Sequence, residues 1–225
     1  MIPALANRGF GWGSGVIDPD GKRFIVNIPK NASSYIHDWS KHQGWRTTNA
    51  HNEKSVQEMI VILRDPVDRW ISGIAQYIVT YILNVYGFNG PIYPDEPVTE
   101  HDQAISAQEF LAQYTPSTER LLFDVLSRFD DHVWPQNEII QGILEHVPRK
   151  FFHIRDIDTA MCDYLGWTPH AALDRNSGLA NADMQMLQEF FKDRVFRKRP
   201  ELLARIRKHY RADYALLARI EELGQ

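Results

Sequence analysis

The sequence predicts an α/β fold, a mostly parallel sheet flanked by helices, built as one domain over residues 1–225. Three observations carry that expectation. Short apolar, β-branched runs alternate with stretches of helical spacing along the chain. Met59–Leu63 (MIVIL) is almost continuously apolar, as a strand covered on both faces must be. Two such runs pass through a short polar loop straight into a helix, the unit from which parallel sheets are made. With 44% hydrophobic and 24% charged residues, the composition suits a packed globular core and excludes disordered or collagen-like classes.

The first strand is Arg23–Ile28 (RFIVNI), which runs into Pro29; the small residues that follow open a helix over Ser33–His42. The second is Met59–Leu63, closed by Arg64-Asp65-Pro66. Asp65 is a capping residue and Pro66 suits the first helical position, so a helix is expected over Val67–Tyr86, with Trp70, Ile74, Ile78 and Ile82 along one face. Two Gly and three Pro between Gly87 and Pro97 make 87–105 an irregular excursion, a candidate lid on the acceptor side. Helices are then expected over Ser106–Tyr114, Glu119–Phe129 and Pro135–Glu145, a third strand over Lys150–Ile154, and a helix from about Asp156. Two more, Ala182–Asp193 and Pro200–Glu222, follow a loop carrying Arg175, Asn176 and Ser177.

A net charge of −4 argues against a surface devoted to nucleic acid. Between Lys192 and Arg211, however, nine Lys or Arg face only Asp193 and Glu201, a local charge of +7. The plain reading is the solvated face of charged helices. Cys162 is the only cysteine, so no intrachain disulfide can form. Met1–Gly15 lacks a basic segment followed by an apolar run, and the most apolar stretch, Ile71–Phe88, is broken by Gln76, Thr80 and Asn84. The expectation is a cytoplasmic protein with neither a membrane nor a nucleic-acid partner.

Chemistry concentrates at the two strand-to-helix junctions. In Ile28-Pro29-Lys30-Asn31-Ala32-Ser33-Ser34-Tyr35, a helix N-terminus supplies unpaired N–H groups and the positive end of the dipole. Lys30 adds a point charge, Ser33 and Ser34 add hydroxyls, and each charge-assisted hydrogen bond to an anion contributes about 1.5–3 kcal/mol. The simpler reading is a serine-capped helix with an exposed lysine. The segment lacks the G-x-x-x-x-G-K-[ST] pattern of a Walker loop. At the second junction, Arg64 closes a buried strand and Ser72 lies about two turns into the next helix, a planar cation plus a hydroxyl suited to a phosphate. The competing reading pairs Arg64 with Asp68 and leaves Ser72 without a role.

At these residues the sequence resembles the sulfotransferases that use 3′-phosphoadenosine-5′-phosphosulfate (PAPS), especially the carbohydrate sulfotransferase branch. There, a PK-x-(A/G)-(S/T)-(S/T) segment after the first strand binds the 5′-phosphosulfate, and R-D-P-x-x-R-x-x-S binds the 3′-phosphate. The resemblance implies a P-loop NTPase-like sulfotransferase fold. It assigns Lys30, Asn31, Ala32, Ser33 and Ser34 to the 5′ end of the donor, and Arg64 and Ser72 to its 3′-phosphate.

Asp130-Asp131-His132-Val133-Trp134-Pro135-Gln136 is similar to the H-x-x-P-Q element of that branch. Imidazole titrates near working pH, so His132 becomes the leading base for the acceptor hydroxyl, with Asp130 or Asp131 to orient it. The bland reading is a loop histidine with solvated neighbours. Glu138 and His101 are weaker candidates, and His37 is expected to pack or solvate within the first helix. Lys198-Arg199 is similar to a late basic segment of cytosolic sulfotransferases, but Pro200 stands where glycine is expected. Ile206–Leu217 resembles the family's closing helix.

The implied reaction moves a sulfuryl group from PAPS to a hydroxyl of an acceptor, a carbohydrate or glycoconjugate, releasing 3′,5′-adenosine bisphosphate and calling on no metal. Lys30 is its electrostatic centre. Trp12, Trp45, Trp134 and Trp167 can stack on a sugar or simply fill a core. Two alternatives stand beside it: a kinase-like phosphotransferase using ATP, and a non-catalytic nucleotide-binding module.

Overall fold

The computed structural model describes residues 13–83, 105–126, 132–168 and 182–222. The excursion at 87–105, apart from its last residue, lies outside them, as do Trp12, His101, Asp130, Asp131, Arg175, Asn176 and Ser177. Internal contacts group the chain into two compact units. The first comprises Met1–Pro66, Pro135–Arg175 and Tyr210–Gln225, and the second Val67–Trp134 and Asn176–His209.

The sheet belongs to the first unit. Its strands are β1 (Ser14–Ile17), β2 (Arg23–Val26), β3 (Arg46–Asn49), β4 (Glu58–Leu63) and β5 (Arg149–His153), in the order β3-β1-β2-β4-β5. The α/β class holds, but the sheet is mixed rather than mostly parallel. β2 pairs with β4 and β4 with β5 in parallel, whereas β1 runs antiparallel to both β2 and β3. The reversal comes from a tight turn. Gly21, at φ 70°, donates its N–H to the Asp18 carbonyl, and the Asp18 carboxylate accepts from the N–H groups of Lys22 and Arg23. An Asp-Pro-Asp-Gly sequence thus joins β1 to β2 as a hairpin, and β1 and β3 together bring the three strands that the apolar runs predict to five.

Four strands leave the sheet in one direction, because β3 is antiparallel to β1 and β1 to β2. The C-terminal ends of β2, β3, β4 and β5 therefore share one edge, where α/β proteins hold their ligands. Helix α1 (Ser33–His42) follows β2 as the sequence predicts, with Ile36 and Trp39 turned inward. They join Val16, Ile25, Trp45, Ile60, Ile62, Met161 and Trp167 in a buried cluster. Trp167 packs edge-on against both Trp39 and Trp45, at 5.3 and 5.1 Å between ring centroids. Trp45 and Trp167 are thus core residues. Each large apolar side chain so buried contributes about 1.5–3 kcal/mol.

The second unit is helical among its described residues. Helix α2 (Pro66–Tyr77) begins at the proline, as its capping signals predict, and continues in wider π turns over Ile78–Leu83. It buries Trp70, Ile71, Ile74 and Ile78, and the Trp70 ring meets Phe123 at 4.4 Å and Phe191 at 5.9 Å. Two of the following helices are shorter than the sequence predicts, α3 (Ala107–Ala112) and, in the first unit, α5 (Gln136–Ile140), whereas α4 (Pro116–Arg120) starts before the predicted Glu119 and continues in π turns over Leu121–Leu126. Helix α5 stops because Gln141 turns extended and Gly142 takes φ 79°. After β5 come α6 (Ile157–Thr159) and then α7 (Ala182–Asp193), the latter with the predicted bounds. The single helix predicted over Pro200–Glu222 is broken at Tyr210 into α8 (Pro200–His209) and α9 (Arg211–Glu222). Among the described residues, no helix is long and apolar enough to cross a membrane.

Candidate functional site

Between β2 and α1 the backbone makes a cradle. Lys30 and Ala32 both take left-handed φ, 68° and 59°, with Asn31 between them at negative φ. This alternation turns successive N–H groups toward one concavity, an arrangement that binds anions. It costs about 1–2 kcal/mol at each residue carrying a Cβ. Ala32 is the N-cap of α1 and supplies no side-chain cap. The N–H groups of Ala32, Ser33 and Ser34 and the hydroxyls of both serines have no protein partner among the described residues. The plain serine-capped start is thus not what forms, and the donors of the first turn remain available to a ligand.

Arg64 lies just past β4, at the same edge. Its guanidinium donates through Nη1 to the Lys30 carbonyl oxygen at 3.1 Å, so the structure brings Arg64 and the Lys30 loop together. The side chain is partly buried.

A residue without an assigned role in the sequence analysis joins them. Gln136, with no exposed surface, accepts at Oε1 from Asn31 Nδ2 at 2.5 Å and from the Arg64 N–H at 2.9 Å. Its Nε2 donates to the Arg64 carbonyl at 2.8 Å and to Asp213 Oδ2 at 3.4 Å. Both acceptor and both donor positions of the carboxamide are in use. Asp213, 1% exposed on α9, also accepts from the backbone N–H groups of Gln136 and Asn137, both at 2.8 Å. Asn31 completes the network by donating to the Ile62 carbonyl at 2.7 Å, while its own Oδ1 is buried without a partner among the described residues. The Asn31 amide nitrogen thus ties the cradle to β4. The remaining signal was the final residue of the H-x-x-P-Q element, read only for its histidine.

The same edge carries two histidines. His51 is exposed on the short turn Ala50–Asn52 that follows β3, where the Asn49 side chain accepts from the His51 N–H. His153 ends β5 and accepts at Nδ1 from the Arg155 N–H at 3.1 Å. Burial, with the Arg155 charge, holds its pKa below the usual histidine value, against the opposing carboxylates of Asp156, Asp65 and Glu221.

Ser72 and His132 lie in the second unit. Ser72 is 8% exposed on α2. Beside it, Gly73 lets the 132–133 backbone approach so closely that a Cβ there would lie 2.5 Å from the His132 carbonyl oxygen. Arg69, with no exposed surface, donates through Nη1 to the Trp134 carbonyl. The second arginine of the R-D-P-x-x-R segment thus anchors the turn before Pro135. Glu138 is exposed on α5, and His37 contacts the Thr47 hydroxyl at 2.8 Å, consistent with a surface role.

Much of the C-terminal basic cluster is engaged within the second unit. Arg194 and Arg199 pair with buried Glu119, Lys198 with Asp193 at 2.7 Å, and Arg205 with Asp124. Lys198 and Arg199 are thus both held in ion pairs.

No protein-family model, curated protein or solved structure matches this chain.

Proposed function

We propose that this protein is a PAPS-dependent sulfotransferase whose donor is held at the cradle of Lys30–Ser34 and at Arg64. The observation that carries this reading is the pairing of an unfilled set of backbone and hydroxyl donors at the start of α1 with the Arg64 guanidinium fixed beside Lys30. A donor with phosphate groups at both its 5′ and 3′ ends calls for two such positively polarised segments. A nucleotide triphosphate bound through one continuous loop does not. The absence of the Walker pattern from the loop favours PAPS over ATP.

In this reading the acceptor oxygen attacks sulfur in line. The bond between sulfur and the bridging phosphate oxygen breaks, and its electron pair stays with 3′,5′-adenosine bisphosphate. Lys30 stabilises charge on that bridging oxygen, while the N–H groups of Ala32–Ser34 hold the phosphosulfate. The hydroxyl proton passes to a base. The motif resemblance names His132 for that role and Ser72 for the 3′-phosphate. His51 is a second candidate base, because it stands on the sheet edge that carries Lys30.

The test is transfer of radiolabelled sulfate from PAPS to a panel of hydroxyl-bearing glycans, with wild type beside Lys30→Ala. Label appearing on a glycan with wild type and lost with the variant supports the reading. Tight donor binding without transfer to any acceptor would instead favour the non-catalytic module.

A further inference from the structure

We propose that Gln136 is a positioning residue that couples the two anion-holding segments, so that the two ends of the donor bind cooperatively, with Asp213 holding Gln136 in place. This inference rests on the donor-site reading above. Its basis is that a single carboxamide oxygen accepts from both the Asn31 side chain and the Arg64 backbone. Asn31 lies within the cradle, between the two left-handed residues that shape it. Arg64 carries the cation at the end of the neighbouring strand. Neither segment can shift without stretching a buried hydrogen bond to the same side chain, and an unmet buried group is costly.

Each partner of Gln136 comes from a distant part of the chain: the loop after β2, the end of β4 and the helix α9. An apolar side chain of similar volume would fill the space but leave the Asn31 amide, the Arg64 N–H and carbonyl and the Asp213 carboxylate each short of a partner. The polar network does what an apolar one cannot, which is to fix spacing and direction. A ligand with two anionic ends gains the product of both contacts only if the subsites are held at the right separation. Asp213 sets the other side of the carboxamide, because its carboxylate accepts from the Gln136 N–H and Nε2 and from the Asn137 N–H. Its place on α9 makes the closing helix part of the donor site's support.

The experiment compares wild type with Gln136→Leu, which removes all four side-chain hydrogen bonds, and Gln136→Glu, which keeps both accepting interactions. Calorimetry measures adenosine 3′,5′-bisphosphate beside adenosine 5′-monophosphate and adenosine 3′-monophosphate. Coupling predicts that Gln136→Leu loses at least about tenfold more affinity for the bisphosphate than for either monophosphate, with Gln136→Glu recovering part of the difference. Without ligand, the leucine change should also shift the amide resonances of Ala32, Ser33 and Ser34 together with that of Arg64. Should the leucine variant not fold, the glutamate variant, which loses both donations, to the Arg64 carbonyl and to Asp213, is predicted to show the same bias to a smaller degree. Equal loss for all three ligands, or loop amides that stay put while Arg64 moves, overturns the coupling and leaves the donor reading intact. A wild type that binds none of the three overturns both.

Discussion

The guanidinium of Arg64 is hydrogen-bonded to the carbonyl oxygen of Lys30 at 3.1 Å, which joins the end of β4 to the loop after β2 across adjacent parallel strands. One side chain thus serves two purposes: it shapes the cradle through Lys30 and brings a cation to the sheet edge. Arg64→Ala should weaken adenosine 3′,5′-bisphosphate binding by about 10- to 100-fold, the worth of one charge-assisted hydrogen bond. Arg64→Lys should recover little, because an ammonium lacks the planar fork that can contact carbonyl and phosphate together. Titration calorimetry of the two variants checks this.

The left-handed backbone at Ala32 gives a stability prediction independent of function. Glycine removes the steric cost of φ 59° but adds freedom to the unfolded chain, so Ala32→Gly should leave stability unchanged or raise it by up to about 1 kcal/mol. Ala32→Val, with a branched Cβ at positive φ, should destabilise by more than 1 kcal/mol, roughly the penalty of a strained backbone residue. Denaturant midpoints at fixed pH measure both.

Gly73 is a packing constraint on the predicted base. A Cβ at this position meets the His132 carbonyl and the Val133 side chain at 2.5 and 2.7 Å, and a backbone atom cannot swing aside as a side-chain tip can. Gly73→Ala should cost about 1–3 kcal/mol, the usual range for overpacking. Thermal unfolding, with the His132 imidazole resonance as a local probe, would show the separation of α2 from the 132–133 backbone.

His153 gives the protein a pH dependence of definite sign. Its folded-state pKa lies below the ordinary 6.5, chiefly through burial and then the Arg155 charge. As pH falls through 6.5 the unfolded chain takes up the proton first, so this contribution to stability is complete above 6.5 and is lost on acidification toward the lower folded value. Protonation at Nδ1 would also remove the acceptor of the Arg155 N–H. The denaturant midpoint should fall between pH 7.5 and pH 5, and His153→Asn should flatten that part of the profile. A midpoint that rises on acidification, with the rise abolished by the substitution, would contradict the assignment.

What could be read from the sequence was what local chemistry determines. The run MIVIL declares a buried strand because five consecutive apolar residues have no other economical use, and Asp65-Pro66 marks the start of α2. β3 escaped because RTTN is polar and only four residues long, and β1 because glycines break its pattern. Without those two strands a parallel sheet was the natural inference. At the site, Lys30 and Arg64 were legible from their places after strands. Gln136 and Asp213 were not, because their roles arise from partners 72 to 105 residues away, and no local pattern encodes such a meeting. His51 was passed over for the same reason as β3, since the strand that brings it to the edge was not recognised.

The measurement that bears most directly on the central claim is calorimetric titration of wild type with adenosine 3′,5′-bisphosphate beside ATP with Mg²⁺, repeated on Lys30→Ala and Arg64→Ala. The donor-site account predicts tight bisphosphate binding, much weaker ATP binding and loss of the former in both variants. A folded wild type that ignores the bisphosphate, or prefers ATP, would contradict it.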